Sequence, residues 1–293
     1  MIEYNHDERR NMMHQPIQLL FALDDNYIPQ LRVLLTSIYQ NHFQEPFSIY
    51  VLFDHLKMEN QESLKQLVQP WNWSLHLIAV DDSLFEDATI TDRYPRQMYY
   101  RLLAPMVLPK DLDRILYLDP DILVINSLRP LWEMDLQGKI FAAASHTQTT
   151  ELANTINKVR LNTEHAYYNS GVLLMDLQQA RMKMNLDQMF QYVKDHAKEL
   201  MFPDQDVLNA LYGKEIYPLD DYLWNYDARN YSRYLLRSQG MSNVDWIMEN
   251  TAILHFCGKS KPWKKNYPYR FGMLYKHYQK MEQRLRNEKS LEN

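Results

Sequence analysis

Glycine is scarce in this chain: its 293 residues include 6 glycines, and no two of them lie within ten residues of each other. Dinucleotide-binding turns, P-loops and the nucleophile elbow of serine hydrolases each need several glycines within about eight residues. The spacing therefore excludes these three motifs. To handle a phosphorylated ligand, the protein would need a metal ion or side-chain cations in place of a glycine-rich loop.

Cysteine and long apolar runs are also lacking. The single cysteine, Cys257, excludes an intrachain disulfide and a cysteine-rich zinc site, and it is typical of a reducing compartment. No stretch of about 18 residues is apolar throughout, so no transmembrane helix is expected. The N-terminal stretch mixes both charges and has no apolar segment typical of a secretory signal. These features predict a cytoplasmic protein.

The net charge of −5 is unevenly distributed along the chain. Residues 259–293 carry ten Lys and Arg against three Glu, so a basic segment follows an acidic body. Such a segment either is attracted to phosphates or to an anionic membrane face, or forms a solvated helix with extended lysines. Peripheral contact with the inner membrane face is therefore one of the expected alternatives.

Strand and helix patterns alternate along the chain and predict a parallel α/β sheet. The predicted strands are 17–23, 47–53, 75–80, 114–119, 140–144 and 170–176. The predicted helices are one that follows Pro29, then 60–68, 99–108, 186–196 and 204–212. No repeat or low-complexity linker interrupts the series, so we expect one domain with a terminal segment.

Asp119-Pro120-Asp121 is an Asp-x-Asp motif at the predicted carboxyl end of a buried strand, where open α/β sheets bind ligands. Apolar runs flank the motif on both sides, and two unpaired carboxylates there would repel each other and resist the loss of water. A divalent cation is the simplest compensation, and oxygen ligands suit Mg²⁺ or Mn²⁺. Pro120 would stiffen the turn. The alternative is a surface turn between two strands.

His255 follows another apolar run and is either a structural hydrogen-bonding residue or a third metal ligand. As a ligand, its nitrogen would favour Mn²⁺ over Mg²⁺. Lys259, Lys261 and Lys264 come just after it, and such cations could neutralise a diphosphate.

Three further features each have a structural interpretation. Asp204 and Asp206 open a predicted helix, which favours a capping role. Arg101 could pair with an acidic neighbour at the surface. The aromatic residues concentrated in 220–236 suit sugar stacking and core packing equally well.

Seven blocks of the sequence resemble glycosyltransferase family 8, which includes bacterial lipooligosaccharide α-galactosyltransferases, general stress protein A-type enzymes and glycogenin. The blocks occur in the expected order, at 21–27, 99–102, 114–124, 130–132, 167–174, 204–209 and 254–263. The resemblance implies a GT-A fold, which is an α/β domain with a mixed, mostly parallel central sheet. It also implies a polar extension over 1–16, the GT-A domain over 17–258 and a basic segment over 259–293, whose first part closes the diphosphate site.

The resemblance also implies a role for each matching residue. Contacts with uridine and ribose would come from Ala22, Asp24 and Asn26, and further substrate contacts from Tyr27, Pro120 and Asp119. The donor sugar and its diphosphate would be bound by Arg101, Asn169, Asp204, Gly258 and Lys261. The ligands of Mn²⁺, with Mg²⁺ as the alternative, would be Asp119, Asp121 and His255. Gln205 would lie beside the anomeric carbon.

The activity implied is the transfer of galactose or glucose, with retention of configuration, from a UDP-sugar to a glycan, lipid-linked or protein-linked acceptor. No nucleic-acid partner is expected. Gln205 is a poor nucleophile, which favours front-face attack over double displacement, where Asp204 would be the nucleophile. The related galactosyltransferases carry an acidic residue where this chain has Ser145 and His146, so the donor sugar and acceptor stay open. Two other hypotheses are a catalytically silent sugar-nucleotide-binding stress protein and a metal-dependent nucleotidyltransferase.

Overall fold

The computed structural model describes residues 15–42, 44–85, 96–145 and 151–292. Its strands are β1 Ile17–Ala22, β2 Phe47–Phe53, β3 Ser74–Ala79, β4 Arg114–Leu118, β5 Ile122–Val124, β6 Phe141–Ala144, β7 Val172–Asp176, β8 Ile216–Leu219, β9 Tyr226–Asp227 and β10 Ile253–His255. Seven of them form the central sheet, in the order β3-β2-β1-β4-β7-β6-β8. Within that sheet β7 runs antiparallel to β4 and β6, and the other pairings are parallel. The sheet is mixed and mostly parallel, as predicted.

The α-helices lie between the strands and after them. They are α1 Ile28–Asn41, α2 Met58–Val68, α3 Arg96–Val107, α4 Arg129–Trp132, α5 Glu151–Leu161, α6 Leu177–Lys183, α7 Leu186–His196, α8 Pro203–Tyr212, α9 Asp221–Trp224, α10 Tyr231–Arg237, α11 Val244–Asn250 and α12 Gly272–Glu292. The five predicted helices correspond to α1, α2, α3, α7 and α8. Most of the predicted polar extension, residues 1–14, lies outside the described residues.

The core is divided by the sheet, because neighbouring residues of a strand point to opposite faces. Leu20 and Tyr117 belong to the apolar cluster that includes α3, whereas Leu19 and Leu116 belong to the cluster that includes α1. All four side chains are fully buried. Burial on both faces explains why β1 and β4 are nearly continuous apolar runs, and it leaves the strand ends as the places where polar groups meet.

A second sheet joins the C-terminal part of the chain to the first. β10 lies between β5, to which it is antiparallel, and β9, to which it is parallel. Since β5 follows the Asp-x-Asp motif directly, this pairing brings the end of β10 to that motif. The small sheet packs over a third apolar cluster, which includes Tyr226, Phe256 and Tyr275.

The basic C-terminal segment packs against the domain through α12. Arg32 of α1 pairs with Glu282 at 2.6 Å in a buried ion pair, and Asn41 donates to the Tyr278 hydroxyl at 2.8 Å. This packing gives no support to the predicted membrane contact. Among the helices of the described residues, none has the length and apolar character to cross a membrane.

Candidate active site

Asp119 and Asp121 lie where the two sheets meet. The backbone N–H of Asp119 donates to the carbonyl of Gly171 at 2.8 Å, and the N–H of Phe256 donates to the carbonyl of Asp121 at 2.9 Å. In the register of β5 and β10, His255 is opposite Ile122. Backbone pairing on both sides therefore fixes the motif between β7 and β10, and the surface-turn alternative is wrong for Asp121, which is 7% exposed.

The two carboxylates and the imidazole of His255 form a cluster with the geometry of a metal site. Ligand atoms of Asp119, Asp121 and His255 all lie within 4.8 Å of one another. Two hard oxygen donors and one imidazole nitrogen suit Mn²⁺. They suit Mg²⁺ less well, because Mg²⁺ has a weaker preference for nitrogen ligands. The residues present thus fit the implied divalent ion.

Cations of the protein itself face Asp121. The Nε2 atom of His255 lies 3.2 Å from Oδ1, and the Lys261 amine donates to Oδ2 and, at 3.0 Å, to the carbonyl of Phe256. Burial raises the pKa of Asp121, but His255 and Lys261 outweigh it and hold that pKa well below its usual range. Asp121 is therefore ionised at neutral pH, and cations of the protein compensate its charge in addition to the divalent cation that the sequence suggests as the simplest compensation.

Arg101 holds Asp119 in the same way. Its Nη1 lies 3.1 Å from Oδ1 of Asp119, which also accepts from the Tyr117 hydroxyl at 2.6 Å. The guanidinium donates to the carbonyl of Ser170 at 3.0 Å and lies 3.4 Å, through Nε, from Oδ2 of Asp204. With a side chain 14% exposed, Arg101 does not form the surface pair that the sequence left open, but joins the motif to the start of α8.

The environment of His255 favours its charged form when no metal is bound. Burial lowers the pKa of His255, but the neighbouring Cys257 and Asp121 outweigh it and raise that pKa well above its usual value. Burial raises the pKa of the Cys257 thiol, which is therefore neutral at pH 7. Of Cys257 and Asp121, Asp121 is thus the charged group that acts on the imidazole.

Gly171 leaves the space that the cluster occupies. A Cβ at this position would lie 2.4 Å from Cε1 of His255 and 2.6 Å from Oδ2 of Asp119. Contacts that short force the ring and the carboxylate to move. The absence of a side chain at residue 171 is therefore a steric requirement of the cluster.

Replacing Gly171 with alanine is expected to weaken Mn²⁺ binding about 10- to 100-fold, in the range of changes that misorient metal ligands. Titration of the purified variant with Mn²⁺ measures this. Gly138→Ala is the matched control, because Gly138 has a φ of +75° and a Cβ there would have nothing within 4 Å. The control should lose some stability and keep its Mn²⁺ affinity; equal affinities in wild type and Gly171→Ala would contradict the prediction.

The start of α8 presents three polar residues with different partners. The helix has Phe202 at its N-cap position without a side-chain cap, so the predicted capping role is wrong for Asp204. Instead, Asp204 accepts from the Ser170 hydroxyl at 2.9 Å. Asp206 is fully buried and accepts from Arg160 at 2.6 and 2.8 Å. It also accepts from the Tyr167 hydroxyl and the backbone N–H groups of residues 201 and 202.

Side-chain amides connect Gln205 to the metal-ligand cluster. Oε1 of Gln205 accepts from Nδ2 of Asn169 at 3.0 Å and from the backbone N–H of Ser170 at 3.2 Å. Oδ1 of Asn169 accepts from Nδ2 of Asn225 at 2.9 Å, and Oδ1 of Asn225 lies 2.9 Å from Nδ1 of His255. Asn225 and Ser170 were missed by sequence reasoning, which considered only the aromatic residues around Asn225.

An open cavity of about 440 Å³ lies in front of the Asp-x-Asp motif. It is lined by Ala22, Leu23, Asp24, Tyr27, Arg101, Tyr117, Asp119, Pro120, Asp121 and Asp204. Asn26 touches this wall through Asp24, whose carboxylate accepts from its backbone and side-chain N–H groups at 2.9 and 3.2 Å. The structure thus brings residues from four of the seven predicted blocks to the wall of one cavity. Residues of two further blocks, 167–174 and 254–263, contact its Asp-x-Asp motif.

Gly258 lies against Arg229, and two tyrosines of the aromatic segment pack in the core. Gly258 has a φ of +80°, and a Cβ there would lie 2.2 Å from Nη1 of Arg229, a cation that sequence reasoning did not single out. In the 220–236 segment, Tyr226 and Tyr234 are buried and stack with centroids 4.1 Å apart, so core packing is the correct interpretation for them. His146 lies outside the described residues.

Comparison with known proteins shows the family of this chain. Residues 18–267 match the model of Glycosyl transferase family 8, and the chain therefore belongs to this family. It is similar to general stress protein A of Bacillus subtilis, with 27% identity over 270 residues, 89% of this chain and 92% of that protein. It is also similar to a lipopolysaccharide 1,2-glucosyltransferase of Escherichia coli, with 24% identity over 255 residues, 83% of this chain and 72% of that protein.

A solved structure shows the same fold. The galactosyltransferase LgtC, crystallised in complex with donor and acceptor sugar analogues, superposes with a TM-score of 0.75 at 25% identity. The match covers 90% of this chain and 96% of LgtC. The predicted GT-A fold is confirmed.

Proposed function

We propose that this protein is a metal-dependent, retaining hexosyltransferase that moves galactose or glucose from a UDP-sugar to a glycan, lipid-linked or protein-linked acceptor. The observation that carries the proposal is the cluster of Asp119, Asp121 and His255 at the wall of an open cavity. Lys261 donates to the carboxylate of Asp121 in this cluster. Named relatives that transfer glucose and galactose support a hexose donor.

Charge on the leaving group decides what the site has to do. Breaking the bond between sugar and phosphate leaves an oxocarbenium-like centre and a diphosphate, so negative charge has to be stabilised. A divalent ion, Mn²⁺ or Mg²⁺, would act as a Lewis acid on that diphosphate when held by Asp119, Asp121 and His255. Lys261 and Gly258 would bind the diphosphate, and Arg101 the donor sugar and its phosphate.

The remaining residues would place the donor. Ala22, Asp24 and Tyr27 line the cavity, and we assign the nucleoside to them, with Asn26 fixing the carboxylate of Asp24. Asn169 and Asp204 would bind sugar hydroxyls, with Gln205 beside the anomeric carbon. All of these assignments are testable by substitution.

The contacts of Gln205 and Asp204 support front-face attack. The side-chain amide oxygen of Gln205 already accepts two hydrogen bonds. The carboxylate of Asp204 is held by the Ser170 hydroxyl and the Arg101 guanidinium. A carboxylate held by a cation is a weaker nucleophile than a free one, which disfavours double displacement. In front-face attack, the departing phosphate oxygen takes the proton of the acceptor hydroxyl. A glycosyl adduct trapped on Asp204 would contradict this mechanism.

The test is to incubate the pure protein with a panel of UDP-sugars, with Mn²⁺, with Mg²⁺ or with a chelator, and to measure UDP release. We expect release from UDP-galactose or UDP-glucose that the chelator abolishes and Mn²⁺ restores. Nuclear magnetic resonance of the product would show the anomeric configuration of the donor retained. No metal-dependent release from any donor, with or without acceptor extracts, would contradict the proposal.

Two further assays separate the other hypotheses from this one. A silent sugar-nucleotide-binding protein would bind a UDP-sugar, detectable by calorimetry, without releasing UDP. A nucleotidyltransferase would release diphosphate from a nucleoside triphosphate in the presence of a sugar phosphate. Membership of a glycosyltransferase family favours glycosyl transfer over both.

A further inference from the structure

A buried asparagine lies behind the candidate metal site. Asn225 is fully buried, directly before β9, and its Oδ1 is 2.9 Å from Nδ1 of His255. The other ring nitrogen of His255 faces the carboxylates, with Nε2 at 3.2 Å from Oδ1 of Asp121 and 3.9 Å from Oδ2 of Asp119. Asn225 thus contacts the side of the imidazole that points away from the site.

Backbone N–H groups determine which way the neighbouring amides point. Oδ1 of Asn169 lies 3.0 Å from the N–H of Gly171, and Oε1 of Gln205 lies 3.2 Å from the N–H of Ser170. A backbone N–H can only donate, so both of these side-chain atoms have to be oxygens rather than nitrogens. This fixes the orientation of two amide groups without reference to His255.

The orientation of Asn225 and the proton of His255 follow from this. Because Oδ1 of Asn169 is an acceptor, the atom of Asn225 that lies 2.9 Å from it is the donor Nδ2. Oδ1 of Asn225 then faces the imidazole, and an amide oxygen can only accept. Nδ1 of His255 therefore carries a hydrogen, which leaves Nε2 as the nitrogen that can ligate a metal ion.

We propose that Asn225 is a positioning residue that holds His255 with Nδ1 protonated and Nε2 directed to the metal. Through its hydrogen bond to Asn169, which in turn donates to Gln205, Asn225 also connects His255 to Gln205. The inference rests on the proposed metal site and adds a residue to it. Partners of this kind usually hold metal-bound histidines, and their loss costs about 10- to 100-fold in metal affinity. The contact of Asn225 with Asn169 would make the same residue affect the part of the site that faces the donor sugar.

Cys257 is the competing partner of the imidazole, since it also lies against His255. A neutral thiol is a weak donor and a weak acceptor, and it does not determine the tautomer as an amide oxygen does. Cys257→Ala is therefore the matched control for substitutions of Asn225.

Three variants of the full chain test the inference by Mn²⁺ titration, read by electron paramagnetic resonance, so that turnover is not needed. Asn225→Leu removes both hydrogen bonds and should weaken Mn²⁺ binding about 10- to 100-fold. Asn225→Asp keeps an acceptor for Nδ1 of His255 and should bind Mn²⁺ at least as tightly as wild type. It loses the donor to Asn169, so its kcat should fall about tenfold. Cys257→Ala should bind Mn²⁺ within about twofold of wild type.

A second measurement needs no substitution. Long-range ¹H–¹⁵N spectra of the wild-type protein loaded with Zn²⁺, a diamagnetic probe, should show Nδ1 of His255 protonated and Nε2 bound to metal. The opposite assignment would overturn the inference even if Asn225→Leu failed to fold. Folded Asn225→Leu that binds Mn²⁺ as wild type does, or Asn225→Asp that binds as weakly as Asn225→Leu, would also overturn it. Wild-type protein that binds no Mn²⁺ would instead overturn the proposed metal site, and the inference with it.

Discussion

Replacing Asp121 with asparagine is expected to lower the turnover of a UDP-sugar about a thousandfold, which corresponds to about 4 kcal/mol of transition-state stabilisation. Asp121 is the carboxylate of the candidate metal cluster that contacts both His255 and Lys261. Its loss removes an anionic ligand and leaves a neutral amide in its place. The charge that forms on the diphosphate would then lose much of its compensation.

The same substitution should cost stability. Two carboxylates in an apolar setting suggest mutual repulsion, so the sequence alone predicts that removing one of them does not destabilise the protein. The structure shows otherwise, because His255 and Lys261 face Asp121 while Arg101 holds Asp119. Removing the charge of Asp121 leaves the buried imidazole of His255 and the partly buried amine of Lys261 with a weaker partner. We expect the free energy of unfolding to fall by about 1–3 kcal/mol without loss of the fold.

Three measurements check this prediction. UDP release gives the turnover, Mn²⁺ titration gives the metal affinity and urea unfolding gives the stability. Asp111→Asn is the matched control, since Asp111 and Asp113 form another Asp-x-Asp pair and Asp111 is exposed. The control should match wild type in all three. Wild-type turnover in Asp121→Asn would remove Asp121 from the proposed mechanism.

Much of the fold could be predicted because its indications are local. β1, β2 and β4 are apolar runs of a length typical of buried strands, and α1, α7 and α8 have helical periodicity. The direction of β7 could not be predicted, because Val172–Asp176 is buried and apolar whichever way it runs. The pairing of β10 with β5 was also hidden, because it joins segments more than 100 residues apart.

The candidate site likewise has parts that the sequence could predict and parts that it could not. Asp119 and Asp121 stand out because a strand ends at a polar turn, and the position of that turn is a local property. The pairing of Arg101 and Lys261 with these carboxylates could not be predicted in this way, because α3 and the chain after β10 place the two cations. Asn225 has a short polar side chain among large aromatic ones, and its contact with His255 exists only once β9 and β10 pair.

Replacing Asp206 with leucine is expected to lower the free energy of unfolding by about 3–5 kcal/mol, the cost of removing one member of a buried ion pair. The carboxylate is 0% exposed, and Arg160 binds both of its oxygens. The same oxygens accept from the Tyr167 hydroxyl at 2.6 Å and from the backbone N–H groups of Met201 and Phe202 at 2.6 and 3.0 Å. Leucine has a similar volume but leaves all of these donors without this acceptor.

The effect on activity follows from the position of Asp206 on α8. Asp204 and Gln205 precede it directly, and the chain that leads into them, through Met201 and Phe202, is held by its carboxylate. Loosening that turn moves the two residues that we place at the donor sugar. We therefore expect kcat to fall about tenfold or more at a temperature where the variant is still folded, with Mn²⁺ affinity changed much less.

A double variant separates the buried charge from the other contacts. Adding Arg160→Met to Asp206→Leu removes the uncompensated guanidinium and should restore part of the lost stability, about 1–2 kcal/mol, while the N–H groups of Met201 and Phe202 stay unsatisfied. Asp195→Asn, an exposed carboxylate on α7, is the control and should unfold as wild type does. Urea unfolding of the four proteins decides the matter. A cost below about 1 kcal/mol for Asp206→Leu, or a double variant less stable than the single one, would mean that the pair with Arg160 does not hold this end of the site.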